Sequence, residues 1–154
     1  MPRNSTILAI GAGIIAVVVF VGLIVIKPAK EQVYVSPSPT EVVRQYFESW
    51  NNKAWADMYA TISDGFKRIE PTAKDLASFS AYASSQGIDG VRILEITELS
   101  NNGKSATVGY SVEFLLTNGN KKPFKGEFTL KYREGDIIPG WKLIHPYGEK
   151  IDTS

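Results

Sequence analysis

The hydrophobic pattern changes character three times along this chain. Residues 7–26 read ILAIGAGIIAVVVFVGLIVI, an apolar run without a charge. At the helical rise such a run covers about 30 Å, the thickness of a bilayer's hydrocarbon core, and it predicts one membrane-spanning helix. Residues 27–37, with Pro28, Pro37 and Ser36, then read as an extended linker. At Ser38 a helical period begins. Ser38 is a capping serine, Pro39 occupies the first helical position, and Glu41 completes a capping box. Val43, Tyr46, Phe47 and Trp50 follow on one face, and Asn51 and Asn52 are expected to end the helix. A second helix is predicted from near Lys53, with Trp55, Met58, Tyr59 and Ile62 on one side and a stop at Ser63, Asp64 and Gly65. Thr72, with Asp75 three residues on, announces a third that runs through Leu76, Phe79 and Ala83 to Gly87.

From Val91 onward the period falls to two. Asn102 with Gly103, and Asn118 with Gly119, predict tight reversals, and residues 134–140 a longer one, so four antiparallel strands are expected. Parity separates their faces. Ala106, Val108, Tyr110, Val112 and Phe114 alternate with polar residues in the second strand, as do Phe124, Phe128, Leu130 and Tyr132 in the third. Leu94 and Ile96 are expected to continue this apolar face in the first strand, and Trp141 and Leu143 in the last. A sheet apolar on one side needs a cover, and the three amphipathic helices are the material for it. Gly109 and Gly126 lie mid-strand, where a bend or bulge would let the sheet curl.

Composition narrows the setting. No small-x-small cleavage site follows the apolar run, and without cysteine no lipid-anchored maturation exists, so a retained signal anchor is expected. A six-residue tail, residues 1–6, precedes it and is placed inside, with the rest outside the cell membrane of a prokaryote. Beyond Arg3 the chain carries sixteen Lys and Arg against sixteen Asp and Glu, which suggests no nucleic-acid partner. The absence of cysteine removes disulfides, thiolate chemistry and cysteine zinc sites. Residues 38–150 suffice for one domain, with 151–154 as a tail.

Helices followed by a bent four-stranded sheet resemble the NTF2-like cone fold. The segment VVRQYFESWNNKAWADMYATIS at residues 42–63 is similar to the opening of many such domains. The closing WKLIHPYG at residues 141–148 resembles the last strand of NTF2-like modules attached to penicillin-binding transpeptidases and of stand-alone anchored domains. The resemblance implies an α+β cone of three helices on a curved four-stranded sheet, behind a single transmembrane helix. Function stays open, because the fold hosts isomerases, dehydratases, transport adaptors and assembly domains.

Enzymes on this fold need an acid, base or oxyanion donor inside the cone. The inward parity of the two central strands carries no ionisable acid, lysine, arginine or histidine, a departure from the ketosteroid-isomerase pattern with its inward aspartate. No catalytic residue, cofactor or metal is therefore assigned. Tyr46, Tyr59, Tyr110 and Tyr132, with His145 at the end of the last strand, are the candidate pocket-lining groups. Each also has a commoner structural use, the tyrosines as core with a wet tip and His145 as a satisfied strand-end residue. Asp57, Asp64, Glu70 and Asp75 lack metal-loop spacing and read as caps and solvated faces. Lys121, Lys122 and Lys125 read as a solvated cluster that blocks aggregation. The expectation is a membrane-anchored extracytoplasmic module that binds an envelope protein or a small apolar ligand without chemistry. The alternative is a small-molecule isomerase or dehydratase using His145 and cavity tyrosines.

Overall fold

The computed structural model describes residues 34–145, and a boundary between two units of the chain falls between Tyr34 and Val35. The transmembrane helix expected over residues 7–26 lies outside the described residues. Among those described, no helix is long and apolar enough to cross a membrane. The domain is α+β, with four α-helices and one 3-10 turn ahead of a four-stranded antiparallel sheet in the order β1-β2-β3-β4.

Helix α1, Pro39–Asn52, starts where the capping box predicts. The Ser38 N–H donates to Glu41 Oε2 at 2.7 Å, and the Ser38 side chain accepts from the Glu41 N–H. Val42, Val43, Phe47 and Trp50 form its buried stripe. The asparagines are its last two residues rather than a break before its end. Both are helical, and the chain turns at Lys53, which takes the left-handed conformation at φ 52°.

The region read as one second helix is two. Helix α2, Trp55–Ala60, buries Met58, and helix α3, Asp64–Ile69, begins after Ser63, whose hydroxyl accepts from the Phe66 N–H at 2.9 Å. Ser63, expected as part of a stop, is instead a capping serine that marks a start. Ile62 belongs to neither helix and bridges in parallel to Leu143. The next helix also starts later than expected. Pro71–Ala73 is a 3-10 turn capped by Glu70, and α4, Leu76–Ser84, is capped by Asp75 rather than Thr72.

Strands β1 (Ile88–Asn101), β2 (Ser105–Leu116) and β3 (Lys121–Arg133) are long, and β4 (Gly140–Leu143) is short. The two Asn-Gly reversals fall as expected, with Gly103 and Gly119 at φ 83° and 84°. The β2–β3 register is uninterrupted, so Gly109 and Gly126 carry no bulge. The irregularities lie in β1 instead, at Ile88/Gly90, Ile93/Glu95 and Glu98/Ser100. Each shift puts an extra residue on β1 and bends that strand. One consequence corrects the parity assignment. Leu94 falls in the second bulge and is exposed, while Ile93 and Ile96 pack on the core.

The core lies under α1 and α2, where Val43, Phe47 and Met58 meet Val108, Val112, Leu130 and Leu143. Segment 61–63 covers the free edge of β4. The Leu143 N–H donates to the Thr61 carbonyl and the Ser63 N–H to the Leu143 carbonyl, both at 2.9 Å. Lys142, on the other face of β4, is buried by this arrangement and donates to the Ala60 carbonyl at the end of α2 at 2.7 Å. Burial, followed by the charge of Lys67, lowers its pKa.

Candidate functional site

Strand β4 pairs with β3 only over residues 130–133, so most of β3 has no fourth strand beside it. The chain leaves the sheet at Ile144, whose N–H donates to the Thr129 carbonyl at 3.2 Å. A cavity of about 410 Å³ occupies this corner. Tyr46 from α1, Phe66 from α3, Phe79 from α4, Tyr110 from β2, Phe128 from β3 and His145 contribute to its wall. The volume falls within the usual range of small-molecule sites, and the lining is largely aromatic and aliphatic.

The aromatic wall is interlocked. Phe47 lies 4.9 Å from Tyr110 and 5.9 Å from Phe128, and Tyr46 meets Phe128 edge-on at 5.4 Å. Edge-on and tilted pairs at such spacings favour one arrangement of the rings. Gly126 makes room for the set, since a Cβ there would stand 2.6 Å from the Tyr110 hydroxyl. Among the described residues the Tyr46 hydroxyl has no hydrogen-bond partner, and neither has that of Tyr110. Burial pushes the Tyr46 hydroxyl far above the ordinary tyrosine range, with the neighbouring Tyr110 adding to the effect, and burial raises Tyr110 as well. Both are neutral donors at any working pH.

His145 stands at the end of the cavity with its ring 4.9 Å from that of Phe66. Its Nε2 lies 3.4 Å from Glu70 Oε2. Glu70 is held first by Thr72, whose hydroxyl and N–H donate to Oε1 at 2.9 and 3.2 Å. These two bonds, ahead of the imidazole, keep its carboxyl below the usual carboxylate value. A carboxylate beside an imidazole orients the ring.

Of the five expected pocket residues, Tyr46, Tyr110 and His145 come together here. Tyr59 does not, because its hydroxyl donates to the Ala73 carbonyl at 3.0 Å and its ring stacks under the Lys67 ammonium. Tyr132 packs edge-on against Trp141 at 5.6 Å, away from the cavity. Glu70 was overlooked as a partner for His145. Its local signal, a carboxylate two residues before a threonine, speaks only of a cap. The remaining acidic residues disperse into separate tasks, and the described residues contain no group of three or more His, Asp or Glu set for a metal ion.

No protein-family model matches the chain, and no curated protein does. Solved structures do. A SEC-C motif containing protein from Psychrobacter arcticus is 13% identical, with a TM-score of 0.52 over 76% of this chain and 64% of that chain. This chain therefore spans just under two thirds of it. A SEC-C motif containing protein from Rhodopseudomonas palustris is 16% identical, with a TM-score of 0.51 over 70% of this chain and 76% of that one. The Delta 5-3-ketosteroid isomerase from Mycobacterium sp. is 14% identical, with a TM-score of 0.50 over 71% of this chain and 92% of that one. At these identities the likeness is one of fold. Helices laid over a bulged antiparallel sheet, in the arrangement shared with that isomerase, give this domain the NTF2-like cone fold.

Proposed function

We propose that the domain takes up a small, mostly apolar molecule carrying one hydrogen-bonding group, and that it does so outside the cell membrane, tethered by the helix expected over residues 7–26. The observation that carries this is the cavity: an aromatic hollow into whose wall the Tyr46 side chain is built without a hydrogen-bond partner for its hydroxyl. A hydroxyl with no partner inside the domain is free to donate to an acceptor on a bound ligand. Titration with the fluorescent probe 1-anilinonaphthalene-8-sulfonate, which joins apolar rings to an acceptor, tests it. The Tyr46→Phe variant should bind the probe several-fold more weakly, since a neutral hydrogen bond is worth roughly 1 kcal/mol, while thermal stability stays level or rises. Equal affinity in both proteins, or no saturable binding in either, would reject the proposal.

The Glu70–His145 contact favours a second reading, in which the bound molecule is also turned over. An imidazole backed by a carboxylate at a cavity wall has the parts needed to take a proton from bound substrate and return it, the step shared by isomerases and dehydratases. The likeness to a ketosteroid isomerase supports no more than the fold. His145→Ala separates the two readings: retained probe binding with loss of a measured turnover favours catalysis, and a turnover unchanged by the substitution rules His145 out as its base.

A further inference from the structure

The loop joining β3 to β4 presents two isoleucines to solvent, Ile137 at 90% and Ile138 at 53% exposure. Isoleucine side chains are ordinarily among the most buried, and this loop is held so that they stay out. Its root is cross-braced to the start of α3. The Asp64 N–H donates to Asp136 Oδ2 at 3.1 Å, and the Ile137 N–H donates to Asp64 Oδ2 at 3.0 Å. Arg133 secures Asp136 from behind through Nε at 3.3 Å. The apolar tip is therefore displayed by a built support.

The same end of the domain receives the chain from the linker. Ser36 Oγ lies 2.7 Å from where a Cβ on Gly140 would stand, so the entering segment passes directly against the foot of this loop. Eight residues, 27–34, separate this segment's unit from the apolar run of residues 7–26. Fully extended they reach at most about 29 Å. Resting on the anchor proposed above, this short tether keeps the isoleucine tip within reach of the bilayer surface. A tether also converts insertion into an intramolecular event, so a small gain from burying two apolar side chains suffices.

We infer that Ile137 and Ile138 dock the domain onto the lipid surface by inserting into the bilayer interface, so that the domain stands on the membrane in a set orientation. The cysteine-free chain allows single-site labelling. Full-length protein in phosphatidylcholine nanodiscs would carry an environment-sensitive fluorophore through Ile137→Cys, with Asn118→Cys at the β2–β3 reversal and Ile14→Cys in the anchor as references. The label at position 137 should show a blue-shifted emission, a several-fold loss of iodide quenching relative to position 118, and quenching by spin-labelled lipid. If position 14 reports hydrocarbon and position 137 behaves like position 118, docking is overturned and the anchor stands. If neither reports lipid, both fall. Shielding of position 137 in native membranes but not in protein-free nanodiscs would show that a protein covers the loop, which also overturns lipid docking.

Discussion

Asn51 does the work of an extra strand. Its Nδ2 donates to the Val91 carbonyl at 3.0 Å, and its Oδ1 accepts from the Val91 N–H at 2.8 Å, so one side-chain amide pairs both backbone polar groups of one residue on the edge of β1. Gly90 permits the approach, because a Cβ there would stand 2.8 Å from that Oδ1. Asn51→Leu strips both partners from Val91 and should lower the unfolding free energy by about 1–3 kcal/mol. Gly90→Ala should act in the same direction by forcing the amide away. Urea denaturation of the two variants and of the double variant checks this; nearly equal losses in all three would show that they break one contact. Asn51 reads in isolation as a helix terminator, since nothing local encodes a partner 40 residues away. The same holds for Glu70 and His145, 75 residues apart.

At the scale of elements, the helix starts are set by carboxylates as much as by hydroxyls. Glu41, Glu70 and Asp75 each accept a backbone N–H at or next to a helix or turn start, and in each the hydrogen bonds from Ser38, Thr72 and Ser78 respectively are the largest cause of a lowered pKa. The folded chain thus releases these protons more readily than the unfolded chain. Their stabilisation is complete above the unfolded values near about pH 4 and is lost as pH falls through the lower folded values. Thermal midpoints followed by circular dichroism should decline on this acid limb, and Asp75→Asn, which keeps a capping acceptor but no charge, should make the decline shallower. An unchanged acid limb in that variant would remove Asp75 from the account. The serine and glutamate of α1 were legible because a capping box is written within four residues. The start of α3 was not, because Ser63 followed by Asp64 and Gly65 fits a stop and a start equally well.

For the whole domain, burial is uneven along the sheet. Val108, Val112 and Leu130 are completely enclosed, whereas Phe124 on the same face of β3 is about half exposed. Short helices cover only part of three long strands, and the cavity forms where β4 stops. Leu130→Ala should cost about 2–5 kcal/mol, since helices and sheet close around the space it vacates. Phe124→Ala should cost much less. Chemical denaturation distinguishes them, and similar losses at both sites would contradict this placement of the core. The inward faces of β2 and β3 were readable from parity because their mutual register has no interruption. Parity fails in β1 at Leu94, because Leu94 is the extra residue of the second bulge and turns outward while Ile93 and Ile96 pack on the core.

Local order was therefore settled by the chain itself: the first helix and its cap, the two Asn-Gly reversals, the central strands and the need to cover one face. Each follows from steric and hydrogen-bonding preferences acting over a few neighbouring residues. Tertiary packing alone decided which side chains met. It gathered Tyr46, Tyr110 and His145 around one hollow and left Tyr59 and Tyr132 elsewhere. It also buried Lys142 under a carbonyl 82 residues away. Such meetings depend on the bulges, strand lengths and helix ends together, and a periodic pattern specifies a face without specifying what will stand opposite it.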